Sequence, residues 1–116
     1  MSRHDPLVSL SHMLDHAREA VQFARGRKRQ DLDTDRQFYL ALVQLLEIIG
    51  EAARRVPQGR RTHWSGIPWT RVMGIRDRMI HGYDAVDLDF LWQAVSHDLP
   101  SLIAELEKIV PPPTPK

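Results

Sequence analysis

The sequence predicts an all-helical protein, folded as an antiparallel up-and-down bundle of four helices. Apolar residues recur at spacings of three and four along four segments, no alternation of period two extends beyond a few residues, and no internal repeat is present. A chain of 116 residues suits one domain. We therefore expect a helical bundle over residues 1–110, with room for a short extra helix, and a flexible, disordered proline-rich tail over residues 111–116.

The first helix is predicted from Asp5-Pro6 to about Arg25. Asp5 is a good N-cap, and proline is favoured at the first helical position because its missing N–H is not needed there. Gly26 accepts the left-handed conformation that often ends a helix. The basic run that follows, 27–29, suits the negative end of the helix dipole.

The second helix is predicted to begin at a cap on Asp33 or Thr34 and to end at Pro57-Gln58-Gly59. Its apolar residues extend beyond a single face, which indicates contact with more than one neighbour and a central position. The main stripe consists of Phe38, Leu42, Leu45, Ile49, Ala52 and Val56.

The last two helices follow a loop over residues 57–67. Pro68 is expected in the first turn of the third helix, which should end near Gly82. Asp87 is expected to cap the fourth helix, and Pro100 should kink it because proline cannot donate a backbone hydrogen bond.

The composition excludes several classes of protein. Sixteen basic against 15 acidic side chains give no net field that would attract nucleic acid, so phosphate recognition would need local clusters. Without cysteine there is no disulfide framework and no cysteine-ligated zinc site. The sequence shows neither a signal-peptide pattern nor a long uncharged apolar run, so we expect a cytoplasmic protein with no membrane partner.

The polar segment at residues 76–83 is the strongest candidate for a functional site. In a continuous helix, Asp77 and His81 would share a face, as would Arg76 and Tyr83. Arg76 and His81 would stand about 140° apart. They could converge only if the helix frays near Gly82 or if a second subunit supplies one of them.

These residue types suit RNA cleavage without a metal. His81 can move a proton near neutral pH, Asp77 could orient it, and Arg76 is a permanent cation that could stabilise charge on the phosphorane-like transition state. Attack by the neighbouring 2′-hydroxyl then cuts the strand. Tyr83 could orient the phosphate or stack on a base. On its own, the same cluster is also typical of a solvated helix end.

The wider pattern resembles the HepT family of HEPN-domain toxins, in both the order and the spacing of its elements. The resemblance covers almost the whole chain from helix one to Val110. It rests on an R-x4-H-x-Y motif preceded by I-G-E-A and I-P-W elements. The matching segments are 46–53, 67–69, 73–77, 81–83 and 86–87, followed by Trp92.

This resemblance implies a HEPN-like bundle whose catalytic pair is Arg76 and His81, with Asp77 at the polar position after the arginine. It further implies a homodimer in which two motifs line one cleft. The partner would be an MntA-type nucleotidyltransferase antitoxin that transfers AMP onto Tyr83. The activity would be that of a cofactor-free endoribonuclease acting on tRNA or mRNA, within a toxin–antitoxin system of type II or type VII. The alternative is a catalytically idle HEPN module that binds the nucleotidyltransferase or nucleotides.

Two carboxylates on the second helix, Glu47 and Glu51, require partners. Glu51 could support Arg76 across the bundle, or it could form an exposed strip with Arg54 and Arg55; the sequence leaves both alternatives open.

Further basic residues could bind RNA backbone, although runs of this kind also cap helices. The candidates are Arg54, Arg55, Arg60, Arg61 and Arg78. His12 and His16 share a helix face, but with no third ligand in view we predict no metal site. Trp69 is expected to be a packing anchor, while base stacking by Trp64 stays open.

Overall fold

The computed structural model describes residues 5–82 and 85–112, and this part of the chain is helical, which confirms the predicted all-helical bundle. The α-helices are α1 (Pro6–Ala24), α2 (Asp31–Thr34), α3 (Arg36–Arg54), α4 (Gln58–Arg61), α5 (Trp69–Met73), α6 (Ile75–Met79), α7 (Leu88–Gln93) and α8 (Leu99–Glu107). A 3-10 turn spans Thr62–Trp64 and a π-helical turn spans Ala94–Asp98.

The two long helices begin at aspartate caps. The Asp5 side chain accepts from the Leu7 amide at 2.9 Å, as predicted for α1. For α3 the prediction of Asp33 or Thr34 is wrong, because those residues belong to the short α2. Asp35 is the cap instead, accepting from the Phe38 amide at 3.1 Å. Because the short helix α2 includes Asp33 and Thr34, α3 begins later than predicted.

The far end of α3 also differs from the prediction. The helix ends at Arg54, before Pro57, and residues 58–64 form α4 and the 3-10 turn instead of an open loop. Pro57 cannot continue the helix. The residues after it form a new helical turn, because the backbone amides of Arg60 and Arg61 both donate to the Pro57 carbonyl.

The core lies mainly between α1, α3 and α8. On α3, Phe38, Leu42, Leu46 and Ile49 are all essentially inaccessible to solvent. One side of α3 packs on α1 while another contacts α5 and α6, which confirms the predicted contact with more than one neighbour. In turn, α1 lies against both α3 and α8. The motif-bearing segment is therefore supported from α3.

The fourth predicted helix is interrupted before Pro100. Its cap is confirmed, since the Asp87 side chain accepts from the Phe90 amide at 2.9 Å. The irregularity takes the form of the π-helical turn at Ala94–Asp98, and Pro100 lies in the first turn of α8, where no donor is required. The helix therefore widens one turn earlier than predicted.

The proline-rich end is described only in part. Pro111 and Pro112 belong to no helix, and residues 113–116 lie outside the described part of the chain, as do residues 1–4. The predicted disorder over residues 113–116 therefore stays a prediction. Among the described helices, none combines the length and the apolar character needed to cross a membrane.

Candidate active site

The segment predicted as a third continuous helix is divided into two short ones. Gly74, with φ −91° and ψ 4°, separates α5 from α6. The prediction that the helix ends near Gly82 is also wrong, because α6 ends at Met79. Ile80 has extended backbone angles and forms an isolated antiparallel bridge with Val86. Pairing with a residue further along the chain draws Ile80 out of the helix.

Close backbone packing on α3 supports these short helices. A Cβ atom built on Gly50 would lie 3.3 Å from the carbonyl oxygen of Val72, so a glycine lets α5 approach α3. One turn later, Arg54 Nη2 donates to the Met73 carbonyl at 2.9 Å. That bond satisfies a carbonyl at the end of α5. The I-G-E-A stretch therefore has a structural reason for its glycine.

His81 lies beyond α6 in a tight backbone loop. Its amide donates to the Ala85 carbonyl at 2.7 Å, and the Asp87 amide donates to the Met79 carbonyl at 2.7 Å. Gly82 has φ +84°, a left-handed conformation that favours glycine. The His81 side chain is 61% exposed. An exposed imidazole on a hydrogen-bonded loop is accessible to a large substrate.

The predicted pairing of Asp77 with His81 on one helix face does not hold. Asp77 lies in α6, which ends two residues before His81, so helical spacing no longer relates the two. Within the described residues, the carboxylate at ion-pair distance from His81 is Asp87, with 3.8 Å between Nε2 and Oδ2. The predicted alignment of Arg76 with Tyr83 stays a prediction, because Tyr83 lies outside the described residues.

Arg76 is exposed on α6 and borders a small cavity of about 80 Å³. Glu47, Glu51 and Arg54 border the same cavity, whereas His81 is not among its lining residues. Glu51 lies 3.9 Å from Arg54 Nε, so the exposed-strip alternative describes its ion pair. Glu51 also borders the cavity beside Arg76, which agrees with the alternative in which it supports Arg76. One chain does not bring Arg76 and His81 to this cavity together.

The basic run after α1 serves the structure of the chain. Arg27 contacts Asp31 at 3.3 Å and Asp35 at 2.7 Å, and its guanidinium lies 4.0 Å from the centre of the Phe38 ring. The hydrogen bond from Arg27 lowers the pKa of Asp35, and the Phe38 amide lowers it further. The hydrogen bonds that Arg27 donates to Asp35 and Asp31 raise its own pKa. These arginine contacts tie α2 to the start of α3.

The arginines after α3 are divided between structural contacts and open surface. Arg61 donates to the Val56 carbonyl at 2.8 Å, and Arg54 to that of Met73. The Arg60 guanidinium lies 5.2 Å from the ring centre of Trp64. Arg55 and Arg78 are exposed. Of the predicted RNA-binding set, Arg55 and Arg78 therefore remain the most available to a phosphate backbone.

Trp69 is a packing anchor, as predicted. Its indole N–H donates to the carbonyls of Arg61 and Trp64, both at 3.1 Å, which joins α5 to the preceding turns.

Within the described parts of the chain, no group of three or more histidine or acidic side chains could hold a metal ion.

The sequence predicts Asp87 only as a helix cap, whereas in the structure it also lies beside His81. Its place next to His81 depends on the bridge between Ile80 and Val86, which local periodicity does not reveal. The available signal was Gly82 followed by a short return to an apolar residue, a pattern typical of a chain reversal.

Comparison with known proteins gives a consistent result. A family model described as "Ribonuclease HepT-like" matches residues 13–109. The "Probable ribonuclease HepT" of Thermococcus cleftensis is 35% identical over 100 residues, covering 83% of this chain and 91% of its own. "Putative RNase MJ1380" of Methanocaldococcus jannaschii is 30% identical over 107 residues, covering 92% and 98%. No solved structure matched the chain.

Proposed function

The chain belongs to the HepT-like ribonuclease family, and from that premise we propose that it is a metal-independent endoribonuclease whose reacting groups are Arg76 and His81. The observation that carries this proposal is the exposure of both side chains on a hydrogen-bonded motif, with His81 held outside the helix. We further propose that residues 1–110 act as one domain, and a cysteine-free chain suits the cytoplasm.

The reaction is internal transesterification of RNA. The 2′-oxygen attacks the adjacent phosphorus, its proton leaves to a base, and the bond from phosphorus to the 5′-oxygen breaks as that oxygen is protonated. His81 exchanges the proton, while Arg76 stabilises the added negative charge on the phosphorane-like transition state. The products are a 2′,3′-cyclic phosphate and a 5′-hydroxyl. Every step uses side chains of this protein and needs no metal.

A second subunit completes the site in this proposal. Arg76 borders a cavity that His81 does not line, so each group needs a counterpart from elsewhere. A homodimer with two motifs facing one cleft would bring Arg76 of one copy to His81 of the other.

Cleavage of RNA in EDTA is the direct test. Purified protein should cut total cellular RNA, including tRNA, whereas His81→Ala and Arg76→Ala should lose roughly 100-fold or more of the rate. Matched controls are His97→Ala and Arg36→Ala, which remove an exposed histidine and an exposed arginine far from the motif in sequence. Cleavage that survives both motif substitutions, or that EDTA abolishes, would contradict the mechanism.

Mixing the two inactive variants tests the shared cleft. If Arg76 and His81 act across subunits, a mixed dimer of Arg76→Ala and His81→Ala retains one intact site. An equal mixture should then regain about a quarter of the wild-type rate after subunit exchange. A mixture that stays inactive, although sedimentation shows mixed dimers, would place both groups of each site in one chain.

Regulation by a nucleotidyltransferase antitoxin completes the proposed toxin–antitoxin role. Transfer of AMP to Tyr83 would add bulk and negative charge two residues from His81, which would repel RNA phosphate. Incubation with an MntA-type enzyme and ATP should add one AMP, detected by mass spectrometry. Tyr83→Phe should remain unmodified and Tyr39→Phe, the other tyrosine of the chain, should be modified normally. Inhibition without modification would indicate steric binding instead.

A non-catalytic binding module remains the second candidate. Arg54 and Arg61, which were expected to contact RNA, donate to backbone carbonyls of this chain. If the protein binds the nucleotidyltransferase but cuts no RNA and does not slow the growth of induced cells, this second function is the correct one.

A further inference from the structure

We propose that Asp87 positions His81 for RNA cleavage, so that Nε2 faces the carboxylate and Nδ1 is the nitrogen that exchanges a proton with the substrate. This inference rests on the proposed function. It assigns to Asp87 a role in addition to its cap on α7, and it transfers to Asp87 the orienting role expected of Asp77.

The backbone register brings the two side chains to one side of the loop. Ile80 is paired with Val86, and the bonds from the His81 amide to Ala85 and from the Asp87 amide to Met79 flank that pair. Side chains alternate across an extended pair, so His81 and Asp87 share the face opposite Ile80 and Val86. Ile80 and Val86 pack against the core, so the shared face points to solvent.

The carboxylate of Asp87 is fixed before any substrate arrives. Oδ1 accepts from the Phe90 amide at 2.9 Å, while Oδ2 lies 3.8 Å from His81 Nε2. A free surface carboxylate would lose conformational entropy on meeting a histidine, and this loss cancels much of the attraction in exposed ion pairs. For Asp87 the helix cap already holds the side chain. One oxygen serves the cap and the other remains available to the imidazole.

This arrangement suits the chemistry of a histidine that must exchange protons in a defined direction. A carboxylate beside one ring nitrogen fixes the ring orientation and attracts the charged imidazolium, which leaves the other nitrogen directed at the reacting oxygen. Among the described charged groups, Asp87 is the one within ion-pair distance of His81.

The substitution Asp87→Asn separates positioning from capping. Asparagine is as good an N-cap as aspartate, so the thermal midpoint of unfolding should stay within about 2 °C of wild type. The amide oxygen can still accept from Phe90, which turns the NH2 group toward His81. A donor then faces Nε2 in place of an anion. Asp89→Asn is the matched control, because Asp89 lies in the same first turn and pairs with Arg29 at 2.7 Å.

The test compares wild type, Asp87→Asn, Asp89→Asn and His81→Ala in RNA cleavage. We expect kcat of Asp87→Asn to fall by about threefold to tenfold with little change in KM, since an exposed ion pair has a modest effect. Asp89→Asn should match wild type in both kcat and KM. A kcat of Asp87→Asn equal to that of Asp89→Asn would overturn the inference.

A spectroscopic measurement keeps the inference separate from the proposed function. In long-range proton–nitrogen spectra at pH 7, the ring nitrogen signals of His81 should change in Asp87→Asn and remain unchanged in Asp89→Asn. Unchanged signals in both variants would overturn the contact, whatever the activity. If wild type cuts no RNA, or His81→Ala cuts as fast as wild type, the proposed function fails and the role in cleavage fails with it.

Discussion

Two regions of the molecule differ in regularity: the long helices α1 and α3, and the motif segment over residues 69–87. Each long helix runs 19 residues and buries a continuous apolar stripe. The motif segment contains two helices of five residues, a glycine at positive φ and an isolated bridge, and the side chains of Arg76 and His81 are exposed. Most stability is expected from the long helices, while the short pieces determine where Arg76 and His81 stand. Substitutions in the two regions should therefore have different consequences.

The largest effect on folding is expected from the buried face of α3. Leu42 is completely buried, and Leu42→Ala should lower the free energy of unfolding by roughly 2–5 kcal/mol through lost burial and a cavity. Cleavage per folded molecule should not change. Leu40→Ala, on the same helix but 43% exposed, should be nearly neutral. Urea unfolding measures both, and equal losses would show that the α1–α3 interior is not the main source of stability.

Two glycines with positive φ permit a matched test of the motif segment. Gly26, after α1, has φ +77° and Gly82, after His81, has φ +84°, and among the described residues an added Cβ would meet no neighbour at either position. Alanine at each should cost about 1 kcal/mol of unfolding free energy, because the left-handed conformation strains an L residue.

Only Gly82→Ala should also slow RNA cleavage, since its strain falls on the loop that holds His81. Calorimetry and a cleavage assay on both variants make the comparison. Equal rates in the two variants would mean that the loop geometry at Gly82 does not matter to the reaction.

Two basic clusters, the arginines after α3 and the cluster after α1 (Arg25 and residues 27–29), should differ in their effect on RNA binding. Arg55→Ala and Arg78→Ala should each reduce the slope of log affinity against log salt by about 0.7, the value for one phosphate contact on a single strand. Arg25→Ala, in the cluster after α1, should leave the slope unchanged. Fluorescence anisotropy with a labelled RNA, using the inactive His81→Ala protein, measures the slopes. A reduced slope in Arg25→Ala would extend the RNA path to the other cluster.

The smallest effect concerns acid stability near the start of α3. The pKa of Asp35 is lowered in the folded protein, chiefly by Arg27, so its contribution is present above the ordinary pKa of 3.8 and is lost as pH falls through the folded value. Asp35→Asn keeps a capping side chain but removes the charge. It should be less stable than wild type at pH 6, and the difference should shrink below pH 3.8. A difference that stays constant with pH would contradict this account.

The sequence was sufficient for the regular parts of the fold and insufficient for the irregular ones. Leu42 and its neighbours repeat at helical spacing, and Asp5 and Asp87 are caps that act within three residues, so local patterns predicted them. The break at Gly74 was missed because the apolar residues on either side still follow one helical period. The end of α6 at Met79 depends on pairing between Ile80 and Val86, which helical periodicity does not reveal.

The same reason limited the prediction of the site. Arg76 and His81 were identified from the motif, but their relation was calculated on a continuous helix that the chain does not form. Asp77 was chosen as the partner of His81 because it lies one turn earlier, whereas the nearby carboxylate in the structure is Asp87. Proximity created by a chain reversal, unlike proximity along a helix, has no fixed spacing in sequence.

The bridge between Ile80 and Val86 has a consequence for hydrogen exchange. The amide of His81 donates one of the two short hydrogen bonds that flank this bridge, at 2.7 Å to the carbonyl of Ala85. Its deuterium uptake therefore reports how often the loop opens, without RNA, a partner or a label. If this amide exchanges slowly, the imidazole of His81 is exposed to solvent while its backbone hydrogen bond stays formed. His81 thus provides its own measure of how rigidly it is held.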